Sequence, residues 1–323
     1  MDNLRKIGIT ALAGTLASVS AAQAGSMAVT GSAVLTYEQK DSTEMTGNPI
    51  GMSKDLTFKG SGELDNGWTV SVMHDLSDAA AWASSSITIG MGSLGTIVVD
   101  QDTGADYGSA FDNVVPQAFE EADDGMDTGM VKSGNAIDHS GSITYKLPKF
   151  SGLQLGGSYQ PRSGAVSNAD GGNSEGSGKS GWEFAADWNP EMVPGLRVGG
   201  AIGTCEDCKA ANKDLDEETF FATYAYGPLS VGYQTADVDN GTTKYNTDIY
   251  GVSFNVNDSL SVSYQYGETS GYGGGNDQSE YEGISAAYNI GPMAIKFTDN
   301  SGKNMNGTTN DDDNRELNLS MSF

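Results

Sequence analysis

Hydrophobic and polar residues alternate one for one along most of the chain. Leu317, Leu319, Met321 and Phe323 are separated by Asn318, Ser320 and Ser322, which gives an extended strand one apolar and one polar face. The same period of two recurs in Leu260, Val262, Tyr264 and Tyr266, in Leu229, Val231 and Tyr233, and in Trp182, Phe184, Ala186 and Trp188. No helical period is sustained; Ala79 to Ala83 comes nearest and is too short. Sixteen strands are predicted, over 27–38, 54–64, 68–76, 85–92, 96–101, 138–147, 153–160, 180–188, 196–203, 218–226, 229–235, 245–255, 260–267, 280–289, 293–299 and 314–323.

The gaps alternate in length. Short ones carry turn residues, as in Asp65-Asn66-Gly67, Gly227-Pro228 and Gly291-Pro292. Long ones are polar and acidic, among them 39–53, 102–137, 161–179 and 204–217. An even strand count with short turns at one end and long loops at the other predicts an all-β fold, a 16-stranded antiparallel transmembrane β-barrel. In lipid every backbone N–H and C=O needs a partner within the protein, so the sheet must close on itself. The opposite faces of these strands carry Ser, Thr, Gly, Asn, Gln and scattered charges, which line water but cannot pack a dry core. Tyr37, Trp68, Trp188, Tyr226, Tyr266, Tyr288 and Phe323 sit near strand ends, where amphipathic rings suit the two membrane interfaces.

Composition narrows the choice. Only 37% of residues are apolar, 44 are glycine, and the net charge is −26. No run of about 18 apolar residues exists outside the strands' alternation, which excludes membrane-spanning helices in the mature chain. An acidic chain repels phosphate, so nucleic acid is excluded as a partner. Arg5 and Lys6, the apolar stretch Ile7 to Val19 and Ala22-Gln23-Ala24 form a cleaved Sec signal peptide over 1–24, leaving one domain over 25–323. An exported protein meets an oxidising compartment, so Cys205 and Cys208 are candidates for a disulfide in the loop 204–217; free thiols and a metal or redox role are the alternatives.

Three features resemble a known family. The ending Asn318-Leu319-Ser320-Met321-Ser322-Phe323 is similar to the alternating, Phe-terminated signal read by the barrel assembly machinery. Ser93-Leu94-Gly95-Thr96-Ile97-Val98-Val99 resembles a turn into the fifth strand, and the longest gap, 102–137, follows that strand. Together they resemble the general diffusion porins of the alphaproteobacterial, Rhodobacter-like type. The resemblance implies a homotrimer in the cell outer membrane, in contact with its lipid and lipopolysaccharide. It also implies that the long third loop folds inward as a constriction, with Ala110-Phe111, Val114-Val115 and Ala118-Phe119 as its anchors. The outward Gly31, Ala33, Gly60 and Gly62 permit close packing between subunits. One departure stands out: Asp100-Gln101 occupies the place where the family commonly carries Gly-Arg.

The chemistry to be expected is electrostatic. The loop holds Asp102, Asp106, Asp112, Glu120, Glu121, Asp123, Asp124 and Asp127 against Lys132. Carboxylates in a confined channel favour cations. Strand parity places Lys59, Lys146, Arg197 and Lys296 inward, together with Glu38, Asp75 and Asp100, so the pore wall is mixed in charge. Ca²⁺ takes six to eight oxygens, and Glu120, Glu121, Asp123, Asp124 and Asp127, or Asp311, Asp312 and Asp313, are candidate ligands without EF-hand spacing. Catalysis has no support, because His74 and His139-Ser140 form no Ser–His arrangement. The sequence thus describes a passive, cation-preferring channel for small hydrophilic solutes. The alternatives are a substrate-selective channel and a secreted, calcium-dependent structural or adhesive β-protein.

Overall fold

A computed structural model of the chain describes residues 25–40, 47–77, 82–132, 136–137, 140–161, 179–210, 213–273 and 278–322. The signal segment 1–24, His139 and the assembly-signal residue Phe323 lie outside the described residues. Sixteen strands follow one another. They are β1 (Ser26–Lys40), β2 (Ile50–Glu63), β3 (Thr69–Leu76), β4 (Trp82–Gly90), β5 (Thr96–Gln101), β6 (Ser140–Lys146), β7 (Leu153–Gln160) and β8 (Gly181–Trp188). The second half comprises β9 (Leu196–Ala210), β10 (Lys213–Tyr226), β11 (Leu229–Asp239), β12 (Lys244–Asn255), β13 (Leu260–Ser270), β14 (Gln278–Ile290), β15 (Met293–Lys303) and β16 (Asp312–Ser322). Each pairs antiparallel with its neighbours in sequence, and β1 pairs with β16 to close the barrel.

Each of the sixteen alternating segments becomes a strand, and the alternation decides which way its side chains point. Leu317, Leu319 and Met321 face out, as do Leu35, Ile284, Ile295 and Phe297; Leu319 is half-buried and the others are more than a third exposed, Leu317 at 47%. The opposite positions hold Gln160, Gln234, Thr247, Gln265, Thr298, Asn300 and Asn314, all buried. A soluble β-domain shows the reverse, with apolar side chains inside and polar ones outside.

Several strands outrun their apolar stretch. β9 reaches Ala210 and β10 begins at Lys213, so most of the expected loop 204–217 is paired strand, with a register shift between Lys213 and Leu215. Past the apolar band the outward positions become charged, as with Asp299, whose carboxylate accepts from Arg315 Nε at 2.9 Å. Backbone pairing does not require apolar side chains once the sheet leaves lipid, so alternation in hydrophobicity underestimates strand length there.

Leu319 faces Leu35 and Ile295 on the outward surface. Leu319→Arg is expected to destabilise the barrel in lipid vesicles by ~2–4 kcal/mol, and Leu319→Val to change little. Chemical-denaturant unfolding in vesicles measures both; equal stabilities would overturn the assignment of this face to hydrocarbon.

Candidate functional site

The long segment after β5 is fastened at its exit. Asp100, buried on the polar face of β5, accepts from the backbone N–H of Thr103 and Ala105, both at 3.1 Å. Asp102 stands at φ 64°, where the chain reverses. Asp106 then caps a short helix, α1 (Tyr107–Ala110), accepting from Ser109 N at 2.8 Å. From β8, the buried Glu183 Oε2 accepts from Tyr107 N and Gly108 N, both at 3.1 Å. A carboxylate at a helix N-terminus satisfies N–H groups that have no partner within the helix. Asp100 therefore supplies an acceptor that turns the chain off the wall.

Beyond α1 the segment runs across the polar faces of β11 to β16. Gln234 donates to Phe111 O at 2.6 Å. Ser263 Oγ, Ser285 Oγ and Gln265 Oε1 accept from the N–H groups of Ala118, Phe119 and Ala122 at 2.8, 3.0 and 2.7 Å. Asn300 Nδ2 donates to the carbonyls of Glu121 and Asp124, and Asp312 accepts from Asp127 N at 2.7 Å. The return limb is held by Thr247, which donates to Val131 O at 2.6 Å, and by Glu217, which accepts from Ala136 N at 3.1 Å. An irregular segment deprived of water has to satisfy its backbone this way. Wall glycines make the approach possible: a Cβ on Gly283 would lie 2.8 Å from Ala122 Cα, and one on Gly251 would lie 2.9 Å from Pro116 O.

Apolar anchors complete the attachment. Phe111 is 1% exposed and meets Phe221 edge to face, with ring centroids 5.0 Å apart. Val115, Ala122 and Met130 pack with Ile249, Tyr281 and Met305. Of the expected anchors, Ala110 is exposed, because the α1 turn rotates it off the wall and directs Phe111 there instead.

The eight carboxylates of the segment sort into different environments. Asp102 and Asp127 are exposed, and Asp106 is used up as a helix cap. Lys132, one-tenth exposed, bridges to Glu121, to Asp112 at 3.7 Å and to Asp123 at 3.9 Å. Burial opposes the Lys132 charge, but Asp123, Glu121 and Asp112 outweigh it and hold its pKa above the usual lysine value. Asp123 also accepts from Met130 N at 2.7 Å. Glu120 and Asp124 remain outside this cluster. Burial, then Asp124 and Glu316, push Glu120 up to about 7, against the opposing pull of Lys296. Burial, then Asp123 and Glu38, likewise raise Asp124.

The register puts Glu38, Lys59, Asp75, Asp100, Lys146, Arg197 and Lys296 on the polar face. Most are engaged locally. Ser84 donates to Asp75 at 2.8 Å, and Arg197 donates to Asp187 through Nε at 3.0 Å and Nη2 at 3.1 Å. Three cations lie over rings: Lys146 over Tyr107 at 5.4 Å, Arg197 over Phe221 at 4.8 Å and Lys296 over Phe119 at 4.9 Å.

One expectation needs correction. The disulfide joins Cys205 to Cys208, but on β9 and not in a loop; Cys205 is buried with Leu215 and Val238, and Val131 of the long segment packs against them. The expected calcium ligands do not gather. Among the described residues no group of three or more His, Cys, Asp or Glu side chains is placed to hold a metal ion. The Lys132 ammonium already neutralises Glu121 and Asp123, while Asp312 is turned inward to Asp127 and Asp311 accepts from Asn304 N.

Glu183, Asp187, Glu217 and Glu316 are functional-face residues missed in the sequence. Parity held the signal for Glu183 and Asp187, which lie between the outward residues Trp182, Phe184, Ala186 and Trp188, and for Glu316, which precedes Leu317.

A model of the Gram-negative porin family matches residues 8–298. No curated protein sequence matches the chain. Among solved structures, the Salmonella typhi OmpF complex with daunomycin is similar at 14% identity and a TM-score of 0.70, covering 93% of this chain and 98% of that one. An anion-selective porin from Comamonas acidovorans is similar at 14% identity and a TM-score of 0.63, over 93% and 100%. A triple mutant of the Rhodopseudomonas blastica porin follows at 14% and 0.64, over 92% and 100%. At such identities the likeness is one of fold, and it agrees with the closed sixteen-stranded sheet, its outward apolar face and its polar interior. The chain belongs to the Gram-negative porin family, the β-barrel channels of the outer membrane.

Proposed function

We propose that this porin is a passive, water-filled channel that passes small hydrophilic solutes and prefers cations. A sixteen-stranded barrel encloses a wide lumen. The segment after β5, fastened across the polar faces of β11 to β16, narrows it as the constriction. The observation that carries the sign of the selectivity is the position of Glu120 and Asp124, on the same face as Glu38 and Glu316 and outside the Lys132 cluster. The fold itself does not set that sign, since the Comamonas acidovorans neighbour is anion-selective and shares the architecture. Local charge in a confined aqueous path does.

The finer assignments belong to the same reading. The protein is exported through residues 1–24 and works as a homotrimer of the Rhodobacter-like general diffusion type. Subunits meet across β1 and β2, where Gly31, Ala33, Gly60 and Gly62 alternate outward with exposed Met27 and Met52. Outer-membrane lipid and lipopolysaccharide surround the trimer, and Phe323 is read by the assembly machinery. No turnover chemistry is involved: His74 donates to or accepts from Ser85 on an outward-facing pair of β3 and β4, remote from the polar interior.

Two outcomes test this reading. Glu120 titrates near 7 with its charged form above that pH, so cation preference should rise between pH 6 and pH 8 and fall again on acidification. Reversal potentials in planar bilayers under a salt gradient measure it; Glu120→Gln with Asp124→Asn should lower the preference at pH 8 and flatten the pH dependence. A preference unchanged in that variant would reject the segment as the selectivity element. Separately, Lys132→Met leaves Glu121, Asp112 and Asp123 without their shared counter-ion. The expected cost is ~3 kcal/mol in the segment's attachment, seen as faster backbone hydrogen exchange over 112–132 with the barrel strands unaffected. Equal exchange in both proteins would remove Lys132 from its proposed role.

A further inference from the structure

Strands β9 and β10 pair without interruption from Leu196 opposite Tyr224 to Cys205 opposite Leu215, and then slip; the next pair is Ala210 opposite Lys213. On β9 the residues 206–209 thus face Asp214 alone on β10. A bulge of this kind bends its strand and re-aims the side chains beside it. Asp207 within it takes φ 51°, in the left-handed region. Its N–H donates to Asp214 Oδ1 at 3.0 Å, and its carboxylate pairs with Lys179 at 2.8 Å. On the β8 side, Lys179 N donates to Glu206 O at 2.9 Å and Glu206 N donates to Ser180 O at 3.1 Å. The Cys205–Cys208 bond closes across this bulge.

The bond does little for the barrel as a whole. It joins residues three apart, and in the chain-entropy account a closed loop that short constrains the unfolded chain weakly. Its constraint is local. Cys205, 1% exposed, packs with Leu215 and Val238, and Cys208, Tyr245 and Val131 pack against them. Val131 belongs to the return limb of the long segment, where the Thr247 hydroxyl donates to its carbonyl and the Thr269 hydroxyl accepts from its N–H. The limb meets the same wall again at Ala136. A Cβ on Gly203 would lie 2.8 Å from Ala136 Cβ, and one on Gly181, the β8 partner of Cys205, would run into the Ala136 carbonyl. Glu217, two residues along β10 from Leu215, accepts from Ala136 N. The return limb is therefore seated on both sides of the bulge, and the bond fixes the shape of that seat.

We propose that the Cys205–Cys208 bond is a redox-operated fastening for the return limb, which a low-molecular-weight thiol opens to widen the channel. The proposal rests on the reading of the long segment as the constriction and adds a control to it. Cys208 is half-buried whereas Cys205 is shielded, so attack falls on the Cys208 sulfur. A thiolate bonds to that sulfur, the S–S bond breaks, and Cys205 leaves as a thiolate and takes up a proton. A second thiolate attacks the reductant's sulfur in the mixed disulfide and releases Cys208, which is protonated in turn. Two small thiols are thereby oxidised to one disulfide, and the protein gains two electrons and two protons. Once the bond is open, Cys208 is no longer tied to the Leu215 and Val238 cluster, and Val131 loses one side of its seat.

The full-length protein is inserted into planar bilayers, and single-channel current is recorded before and after dithiothreitol is added to both compartments. A parallel sample is alkylated with iodoacetamide, and the modified cysteines are counted by mass spectrometry. Dithiothreitol is expected to expose both cysteines and to raise conductance and open-channel noise, and oxidised glutathione to reverse the rise. Cys205→Ser with Cys208→Ser should show the raised conductance from the outset and lose the response. Val131→Ala keeps the bond; it should start at a raised conductance and gain little more on reduction. Because reduction acts on wild-type protein already inserted, the result does not hang on the folding of either variant. A bond that resists dithiothreitol, a conductance unchanged while both cysteines are alkylated, or an equal response in Val131→Ala overturns the fastening and leaves the channel reading standing. Wild-type protein that forms no open pore overturns the channel reading and the fastening with it.

Discussion

The whole molecule depends on one constraint, that a sheet placed in hydrocarbon must leave no backbone N–H or C=O unpaired. The only way for sixteen antiparallel strands to meet it is for the last to pair with the first, and nine residue pairs from Ser32 with Ser322 to Lys40 with Asn314 close that seam. Closure fixes two environments at once. Because side chains alternate, each strand must send one set to lipid and the other to an enclosed space, and the sequence alternates to match. Closure also determines that the interior is not a packed core, since a ring of sixteen strands is too wide for opposing walls to touch.

A wide interior creates the second problem, how to support an irregular segment inside it. Here the wall acts as a set of fixed hydrogen-bond partners. Ser263, Gln265 and Ser285 take N–H groups from Ala118, Ala122 and Phe119, and Asn300 gives to two carbonyls. The wall's carboxylates serve the same purpose at Glu183, Glu217 and Asp312, where they accept from backbone N–H groups. Much of the negative charge in the interior is thus structural. It holds the chain in place, and its field is partly spent on backbone dipoles and on Lys132.

This division explains what could be read from the sequence and what could not. Strand number, order and facing follow from a period of two, and they are legible in Leu317, Leu319 and Met321 as in every other strand. The polar-face placement of Glu38, Lys59, Asp75, Lys146, Arg197 and Lys296 needs only parity, and the one register shift beside them, between Asp75 and Leu76, leaves Asp75 on the polar face. Strand ends are a different matter: β9 continues through Cys205 and Cys208 because hydrogen bonds persist where hydrophobicity has stopped. The fate of each carboxylate was also hidden. Composition treats Glu120 and Glu121 alike, yet one residue's rotation about the segment sends Glu121 to Lys132 and Glu120 to the wall.

Selectivity in such a barrel is then a question of residual charge, after structural uses are subtracted. Asp106 is consumed by a helix cap, Asp112, Glu121 and Asp123 by Lys132, and Asp187 by Arg197. Besides the exposed Asp102 and Asp127, the carboxylates that make no ion pair among the described residues of the segment and the seam are Glu120, Asp124, Glu38 and Glu316, with Lys296 lying over the Phe119 ring and Lys40 acting on Asp124. A wall pair of like charges, Glu38 against Glu316, works against folding, and folding alone would be better served by Gln at either position. A chain that keeps both carboxylates there accepts a local loss of stability on the polar face of its closing seam. The same architecture with a different residue at these few positions would carry a different sign, which is how an anion-selective porin can share this barrel at 14% identity.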